Sequence, residues 1–179
     1  GIELLADLPV DEVGILQRKC DWLCYDQDEQ ILDRESDSRD VFFVVKGRVQ
    51  VKNFSFSGRE IALATIGEGG YFGELSAVDQ QPRSASVLAA ESSMVAGLRR
   101  DDFIDLIRRY PELALRVLNR LAQIVRNCDE RIMDLSTLGA VQRVYVELLR
   151  LAKPGPKVST QWSINPIPTR ANVAARAST

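Results

Sequence analysis

Two ionisable residues, Glu74 and Arg83, lie close together within a glycine-rich stretch of the chain, 67–87. Three of the first four residues of that stretch are glycine, which lets the backbone come close to a ligand. A carboxylate accepts hydrogen bonds from sugar hydroxyls, and a guanidinium binds a phosphate through two parallel hydrogen bonds. Backbone N–H groups of residues 73–75 and 84–85 add donors for an anion. The pattern therefore predicts a pocket for a sugar phosphate.

The residues that most enzymes use for catalysis are missing from this pattern. The chain has no histidine, which removes the commonest general base and the usual activator of a serine or cysteine nucleophile. Its acidic residues are spread along polar segments, and no nucleophile, base and orienting group can be assembled from them. The sequence predicts a binding protein and not an enzyme.

The three cysteines predict neither a disulfide framework nor a metal site. Cys20 and Cys24 have no second pair of ligands, and an odd number of cysteines fits a reducing compartment. No apolar run approaches the roughly 18 residues that cross a bilayer, and the chain does not open with a signal peptide. We expect a soluble, cytoplasmic protein without a membrane partner and without a metal.

Charge is distributed unevenly along the 179 residues, whose formal net charge is -2. From Gly139 onward the only acidic residue is Glu147. A basic C-terminal segment suits contact with nucleic acid, because lysine and arginine drive phosphate binding. A soluble helical tail would have the same composition, so composition leaves both readings open. The basic residues of this segment are Arg143, Arg150, Lys153, Lys157, Arg170 and Arg176.

Between residues 21 and 98, short β-branched and aromatic runs alternate with turn residues. Lys46-Gly47 and Ser57-Gly58 are typical of hairpin turns between consecutive strands. Many short strands at this spacing indicate a sandwich or a barrel. The predicted strands are 41–45, 48–52, 60–64 and 93–97.

Helical patterns flank this β region. Residues 2–18 are typical of short helical pieces, and 101–110 begins with aspartates and ends with arginines, as the helix dipole favours. A long helix is expected to start near Pro111, since proline suits a first helical turn.

Apolar residues recur along the long helix with alternating gaps of four and three. This is the heptad pattern of a two-stranded coiled coil, and polar residues flank it closely, so we expect a homodimer. A helix packed on its own domain is the alternative. The positions of this seam are Ala114, Leu118, Leu121, Val125, Cys128, Ile132 and Leu135.

The remaining residues predict a small helical domain. An amphipathic helix is expected over 141–153, ended by Pro154-Gly155-Pro156. A small strand is expected over 162–165 and a further helix over 168–177.

Phe72-Gly73-Glu74-Leu75 followed by Pro82-Arg83-Ser84-Ala85 resembles the phosphate-binding cassette of cyclic-nucleotide-binding domains. The order of elements along nearly the whole chain resembles the CRP/FNR family of bacterial transcription regulators. That resemblance implies an α+β fold in three parts. These are a cyclic-nucleotide-binding β-roll over 1–110, a dimerisation helix over 111–137, and a winged helix-turn-helix domain over 138–179, truncated before its recognition helix.

The resemblance also implies roles for individual residues of the cassette. Gly73, Glu74 and Leu75 would line the ribose, with Glu74 on the 2′-hydroxyl. Arg83 and Ser84 would hold the cyclic phosphate.

In the C-terminal segment, residues 169–177 resemble the first helix of the family's helix-turn-helix, with Val173 and Ala174 facing inward. DNA would be the partner of this domain, with Thr169 and Arg170 as contact residues and RNA polymerase as a further partner.

The resemblance places recognition of the nucleotide base on the long helix. Family members that respond to cAMP carry small hydroxyl residues there. The corresponding residues of this chain are 126–129, Arg-Asn-Cys-Asp. Asn127 has both donor and acceptor atoms for a purine edge; a solvated Asn127 is the alternative. We expect cAMP in preference to cGMP, and neither iron–sulfur nor haem ligands are present in the family's spacing. A cyclic-nucleotide module that controls a kinase or channel is the alternative function.

Overall fold

The computed structural model describes residues 1–55, 58, 60–154, 162–164 and 167–177. These residues form an α+β fold with two antiparallel four-stranded sheets, a long helix and short C-terminal helices, as predicted. The chain divides into two compact units, one of residues 1–53 and 63–121 and the other of residues 54–62 and 122–179.

Consecutive strands lie in different sheets of the two larger ones, except β4 and β5, which are neighbours in the same sheet. One sheet has the order β1-β8-β3-β6 and the other β2-β7-β4-β5. The four predicted strands are confirmed, with ends that extend one to three residues further. The strands are β1 (Asp21–Tyr25), β2 (Gln30–Leu32), β3 (Val41–Lys46), β4 (Arg48–Phe54), β5 (Glu60–Gly67), β6 (Tyr71–Phe72), β7 (Ser86–Ala89) and β8 (Ser93–Leu98).

The run Val-Phe-Phe-Val-Val lies in strand β3, and its residues are all apolar instead of alternating with polar ones. Val41 and Phe43 belong to one hydrophobic cluster, and Phe42 and Val44 belong to another. Successive side chains of a strand point to opposite faces, so both faces of β3 are buried. The second cluster joins both sheets and includes the stacked rings of Phe42 and Phe72, whose centroids are 5.3 Å apart.

Helices cover the other face of the β3 sheet. The predicted helical pieces near the N-terminus, the helix after β8 and the long helix from Pro111 are all confirmed. Phe103 and Leu106 pack with Leu113 and Val117 in the first hydrophobic cluster, which anchors the start of the long helix. The bounds are a 3-10 turn Glu3–Leu5, α1 (Val10–Lys19), α2 (Glu74–Asp79), α3 (Arg100–Arg109) and α4 (Pro111–Thr137).

The predicted hairpin at Lys46-Gly47 is wrong, because β3 and β4 lie in different sheets. Gly47 has φ +85°, and a Cβ there would lie 2.5 Å from the Ser93 hydroxyl oxygen. Glycine is therefore needed where the chain changes sheet beside β8, and not in a two-residue turn. Strands β4 and β5 are neighbours, as the second hairpin requires; Ser57 of that turn lies outside the described residues.

The second unit contains helices α5 (Ala140–Leu151) and α6 (Arg170–Ala177), and strands β9 (Lys153–Pro154) and β10 (Trp162–Ser163). Both predicted helices and the small strand are confirmed, and Asn165 of the predicted strand lies outside the described residues. The inward face of α6 differs from the prediction. Ala175 and Ala177 are its buried residues, whereas residues 173 and 174 are half-buried, because α6 packs against α5 along its C-terminal end.

A buried carboxylate connects the helices of the second unit. Glu147 of α5 is 4% exposed. Its Oε1 lies 3.2 Å from Arg150 and 3.9 Å from Arg131 of α4. Arg150 also pairs with Asp134 at 2.8 Å. A buried charge needs such partners, so this network fixes α5 against the C-terminal half of α4.

In the described part of the chain, no helix is both long and apolar enough to cross a membrane.

Candidate functional site

The cassette occupies the connection from β6 through α2 to β7. Gly73 follows β6 with φ +86° and precedes the first residue of α2. A Cβ at Gly73 would lie 2.7 Å from Nη1 of Arg83 and 2.7 Å from the carbonyl oxygen of Asp40. The glycine therefore serves both the left-handed conformation and the close approach of Arg83.

Arg83 is buried, at 3% exposure, and each of its three nitrogens donates to the protein. Nε donates to the hydroxyl of Ser38 at 3.0 Å, Nη1 to the carbonyl of Gly73 at 2.9 Å, and Nη2 to the carbonyl of Asp40 at 2.7 Å. A guanidinium has five N–H groups, so one remains on each terminal nitrogen. Two N–H groups on the two terminal nitrogens of a guanidinium can bind a phosphate bidentately.

Burial lowers the pKa of Arg83, while the carboxylates of Asp40 and Glu74 act in the opposite direction. Arginine stays protonated in proteins, so the site presents a desolvated cation. Such a cation attracts an anion more strongly than an exposed one does, because the surrounding dielectric is low.

Glu74 is the second buried charge of the site, at 5% exposure. Burial raises the pKa of Glu74, and the nearby positive charges of Arg120 and Arg83 act against that increase. Because these cations favour the carboxylate, Glu74 can accept a hydrogen bond from a hydroxyl group.

The other predicted cassette residues lie in the same segment. Leu75 is 36% exposed on α2. Ser84 is exposed, and its carbonyl accepts a hydrogen bond from the Asn53 side chain at 3.2 Å. One short connection thus contains Gly73, Glu74, Leu75, Arg83 and Ser84. Their closeness in space follows from their closeness in sequence.

The sequence did not identify the residues that contact Arg83 and Glu74 but lie far from them along the chain. Ser38 and Asp40 belong to the β2–β3 connection, and Arg120 belongs to α4. Nη2 of Arg120 donates to the carbonyl of Tyr71 at 2.7 Å, and its guanidinium lies 4.3 Å from the Tyr71 ring centroid. Burial raises the pKa of Tyr71 to about 12, so its phenol is neutral. The sequence carries no local signal for these contacts.

Comparison with known proteins gives two further findings. A family model described as "Cyclic nucleotide-binding domain" matches residues 23–110. The "Cyclic AMP receptor protein" of Thermus thermophilus is 32% identical over 155 residues, which cover 87% of this chain and 72% of that protein. This chain belongs to the CRP/FNR family of transcription regulators.

Two further relatives agree with this assignment. The crystal structure of the Thermus thermophilus Catabolite Activator Protein matches with a TM-score of 0.66 and 28% identity, over 98% of this chain and 80% of that one. The "cAMP-activated global transcriptional regulator CRP" of Haemophilus influenzae is 27% identical over 72% of this chain, which spans 58% of that regulator. The CRP/FNR relatives are regulators and not enzymes, in agreement with the sequence prediction.

The CRP/FNR dimer seam predicted on α4 divides into two environments. Leu121 is half-buried and packs against the hydrophobic core of the first unit. Leu118, Val125 and Ile132 are 59%, 58% and 60% exposed. Cys128 is also exposed.

Asn127, the predicted base contact of this CRP/FNR chain, is an exposed residue of α4 in the second unit. The cassette lies in the first unit.

The two residues predicted to contact DNA lie at the start of α6. The hydroxyl of Thr169 accepts a hydrogen bond from the Asn172 N–H at 3.2 Å and so caps the helix. Arg170 is exposed. Among the described residues of this CRP/FNR chain, no cluster of histidine, cysteine or acidic groups could hold a metal ion.

Proposed function

We propose that this protein is a cyclic-nucleotide-responsive, homodimeric, DNA-binding transcription regulator whose ligand is cAMP. Its parts are a cyclic-nucleotide-binding domain over 1–110, a dimerisation helix over 111–137 and a helix-turn-helix segment over 138–179. The observation that carries the proposal is the pair of buried charges, Glu74 and Arg83, in a cassette whose glycine leaves room for the arginine.

The ligand fits this pair by its charge and its hydroxyl. The two remaining N–H groups of Arg83 bind the cyclic phosphate, supported by Ser84. Glu74 accepts from the ribose 2′-hydroxyl, with Gly73 and Leu75 beside the sugar. A phosphodiester carries one negative charge, which the Arg83 cation neutralises at low dielectric.

The choice of cAMP draws on two kinds of support. Two of the relatives are named for cyclic AMP. The amide of Asn127 offers an acceptor for the exocyclic amino group of adenine. Since an amide also has a donor for the carbonyl of guanine, cGMP is the competing ligand.

Dimerisation is supported by the exposed apolar residues of α4. Full burial of a side chain such as Leu118, Val125 or Ile132 contributes about 1.5–3 kcal/mol each. A two-fold seam, in which each residue meets its own copy, would bury all three together with Cys128 and the outer edge of Leu121.

The DNA contact is assigned to the C-terminal unit, where Thr169 and Arg170 open α6. Ligand binding regulates this contact only if the ligand binds two arrangements of the dimer with different affinities. RNA polymerase is the further partner of a regulator that acts at promoters, and the cytoplasm is the compartment in which it would act.

Calorimetry of the purified chain against cAMP, cGMP and cyclic di-GMP tests the proposal. We expect one cAMP site per chain, weaker binding of cGMP, and no binding of cyclic di-GMP at the same site. Heat changes that equal those of dilution for all three nucleotides would contradict the proposed function. Binding of cyclic di-GMP alone would retain a ligand-responsive regulator and reject cAMP as its ligand.

A further inference from the structure

Arg120 lies on α4 and reaches the cassette through three contacts. Its Nη2 donates to the Tyr71 carbonyl at 2.7 Å, its guanidinium lies 4.3 Å from the Tyr71 ring centroid, and its Nε lies 3.6 Å from Oε1 of Glu74. The stacking and the carbonyl bond fix the plane of the guanidinium. Its Nε edge is consequently directed to the Glu74 carboxylate.

The Nε–H group of Arg120 is a buried donor, and it has no hydrogen-bond acceptor among the described residues. The separation of 3.6 Å from Glu74 gives an ion pair and not a hydrogen bond. An unsatisfied buried N–H group carries a desolvation cost, so a ligand oxygen that accepts from it would gain affinity.

A hydroxyl group can form a hydrogen bond with each of the two side chains, Glu74 and Arg120. It donates one hydrogen bond and accepts others. An oxygen atom placed beside two groups 3.6 Å apart lies within hydrogen-bond distance of both. The hydroxyl would donate to Glu74 and accept from Nε–H of Arg120.

We propose that Arg120 is a further ligand-binding residue, whose Nε–H donates to the same ribose 2′-hydroxyl that Glu74 accepts from. This inference rests on the proposed function, since it requires a ribose at Glu74. It makes recognition of the hydroxyl a joint property of the cassette and α4. A nucleotide without the hydroxyl leaves both the carboxylate and the Nε–H unsatisfied.

The test measures the preference for cAMP over its 2′-deoxy analogue by calorimetry. In the Arg120→Met variant we expect that preference to fall by about tenfold, the effect of one hydrogen bond that involves a charged group. The matched control is Arg116→Met, one turn earlier on α4. Arg116 also pairs with a carboxylate, Asp7, and donates to a backbone carbonyl, that of Leu4, but it does not contact the cassette.

A second variant keeps the test valid if Arg120→Met does not fold. Lysine has one terminal nitrogen, which cannot occupy the positions of both Nη2 and Nε. Arg120→Lys therefore keeps the cation at the Tyr71 carbonyl and ring and should lose the same preference.

The outcomes separate the inference from the proposed function. If the parent protein prefers cAMP to its deoxy analogue and both Arg120 variants keep that preference, Arg120 is only a structural support of Tyr71 and the inference is overturned. If the parent protein binds neither nucleotide, the proposed function fails and the inference fails with it. Loss of preference in the Arg116 control as well would also overturn the inference, because the effect would then be one of α4 stability.

Discussion

The carbonyl of Gly73 accepts a hydrogen bond from Nη1 of Arg83, and a Cβ at Gly73 would lie 2.7 Å from that same nitrogen. The residue that positions the arginine is thus also the residue whose missing side chain makes room for it. Glycine at this position connects the start of α2 to the Arg83 guanidinium through one hydrogen bond.

Gly73→Ala should therefore displace Arg83 and weaken cAMP binding by about tenfold, as expected for loss of a charge-assisted hydrogen bond. The substitution also places alanine at a positive φ, which costs about 1–2 kcal/mol of stability. Gly58→Ala is the matched control, because Gly58 has φ +77° and nothing within 4 Å of its Cβ position. It should lose stability and keep its affinity. Equal affinity of the Gly73 variant and the parent would show that crowding at Arg83 is unimportant.

Glu74 gives a prediction for stability as a function of pH. Burial raises its pKa above the ordinary value of 4.5, so the folded chain holds this proton more tightly than the unfolded chain does. The resulting stabilisation is complete below the unfolded pKa and is lost as the pH rises through the folded pKa. Because glutamine does not titrate, the Tm of Glu74→Gln relative to the parent should increase as the pH rises from about 4 towards neutrality.

Scanning calorimetry across this pH range provides the measurement for Glu74. Glu68→Gln is the control for the same substitution at an exposed glutamate. A Tm difference for Glu74→Gln that is constant or decreases with pH would contradict the assigned direction.

The proposed seam on α4 predicts that a single charge will separate the proposed dimer. Val125→Glu places a carboxylate among apolar residues of the partner helix and should give a folded monomer in sedimentation velocity. Leu121→Glu should give a monomer of lower Tm, since Leu121 also packs on its own core. Leu115→Glu, at a 52% exposed leucine outside the seam, should remain dimeric. A monomeric parent protein would refute the dimer.

The base assignment predicts a change of selectivity at one exposed position. Asn127→Leu should reduce the ratio of cAMP to cGMP affinity, because leucine cannot distinguish an amino group from a carbonyl. Asn119→Leu, another exposed asparagine on α4, is the control and should keep the parent ratio. An unchanged ratio in both variants would leave Asn127 a solvated helix residue.

The parts of the fold that the sequence predicted were local ones. The apolar run of β3, the charge order of α3 and the proline at the start of α4 each determine a segment through its own residues. The Lys46-Gly47 prediction failed because turn chemistry does not specify which sheet the next strand joins. Gly47 is fixed by its approach to Ser93, a contact between residues 46 positions apart.

The candidate site divides in the same way. Gly73, Glu74 and Arg83 were found because one short segment contains them. Ser38, Asp40 and Arg120 were not found, since the fold brings them to the segment from the β2–β3 connection and from α4. Their residue types are ordinary for a protein surface, so only the three-dimensional arrangement identifies them.

The central claim is that Arg83 binds the phosphate of a cyclic nucleotide, and calorimetric titration of parent and Arg83→Ala with cAMP tests it most directly. Loss of a charge-assisted bidentate pair should raise the Kd by about tenfold to a hundredfold. Arg34→Ala, at an exposed arginine that pairs with Glu35, is the control and should bind as the parent does. The same Kd for Arg83→Ala and the parent, with both chains folded at the temperature of measurement, would contradict the account.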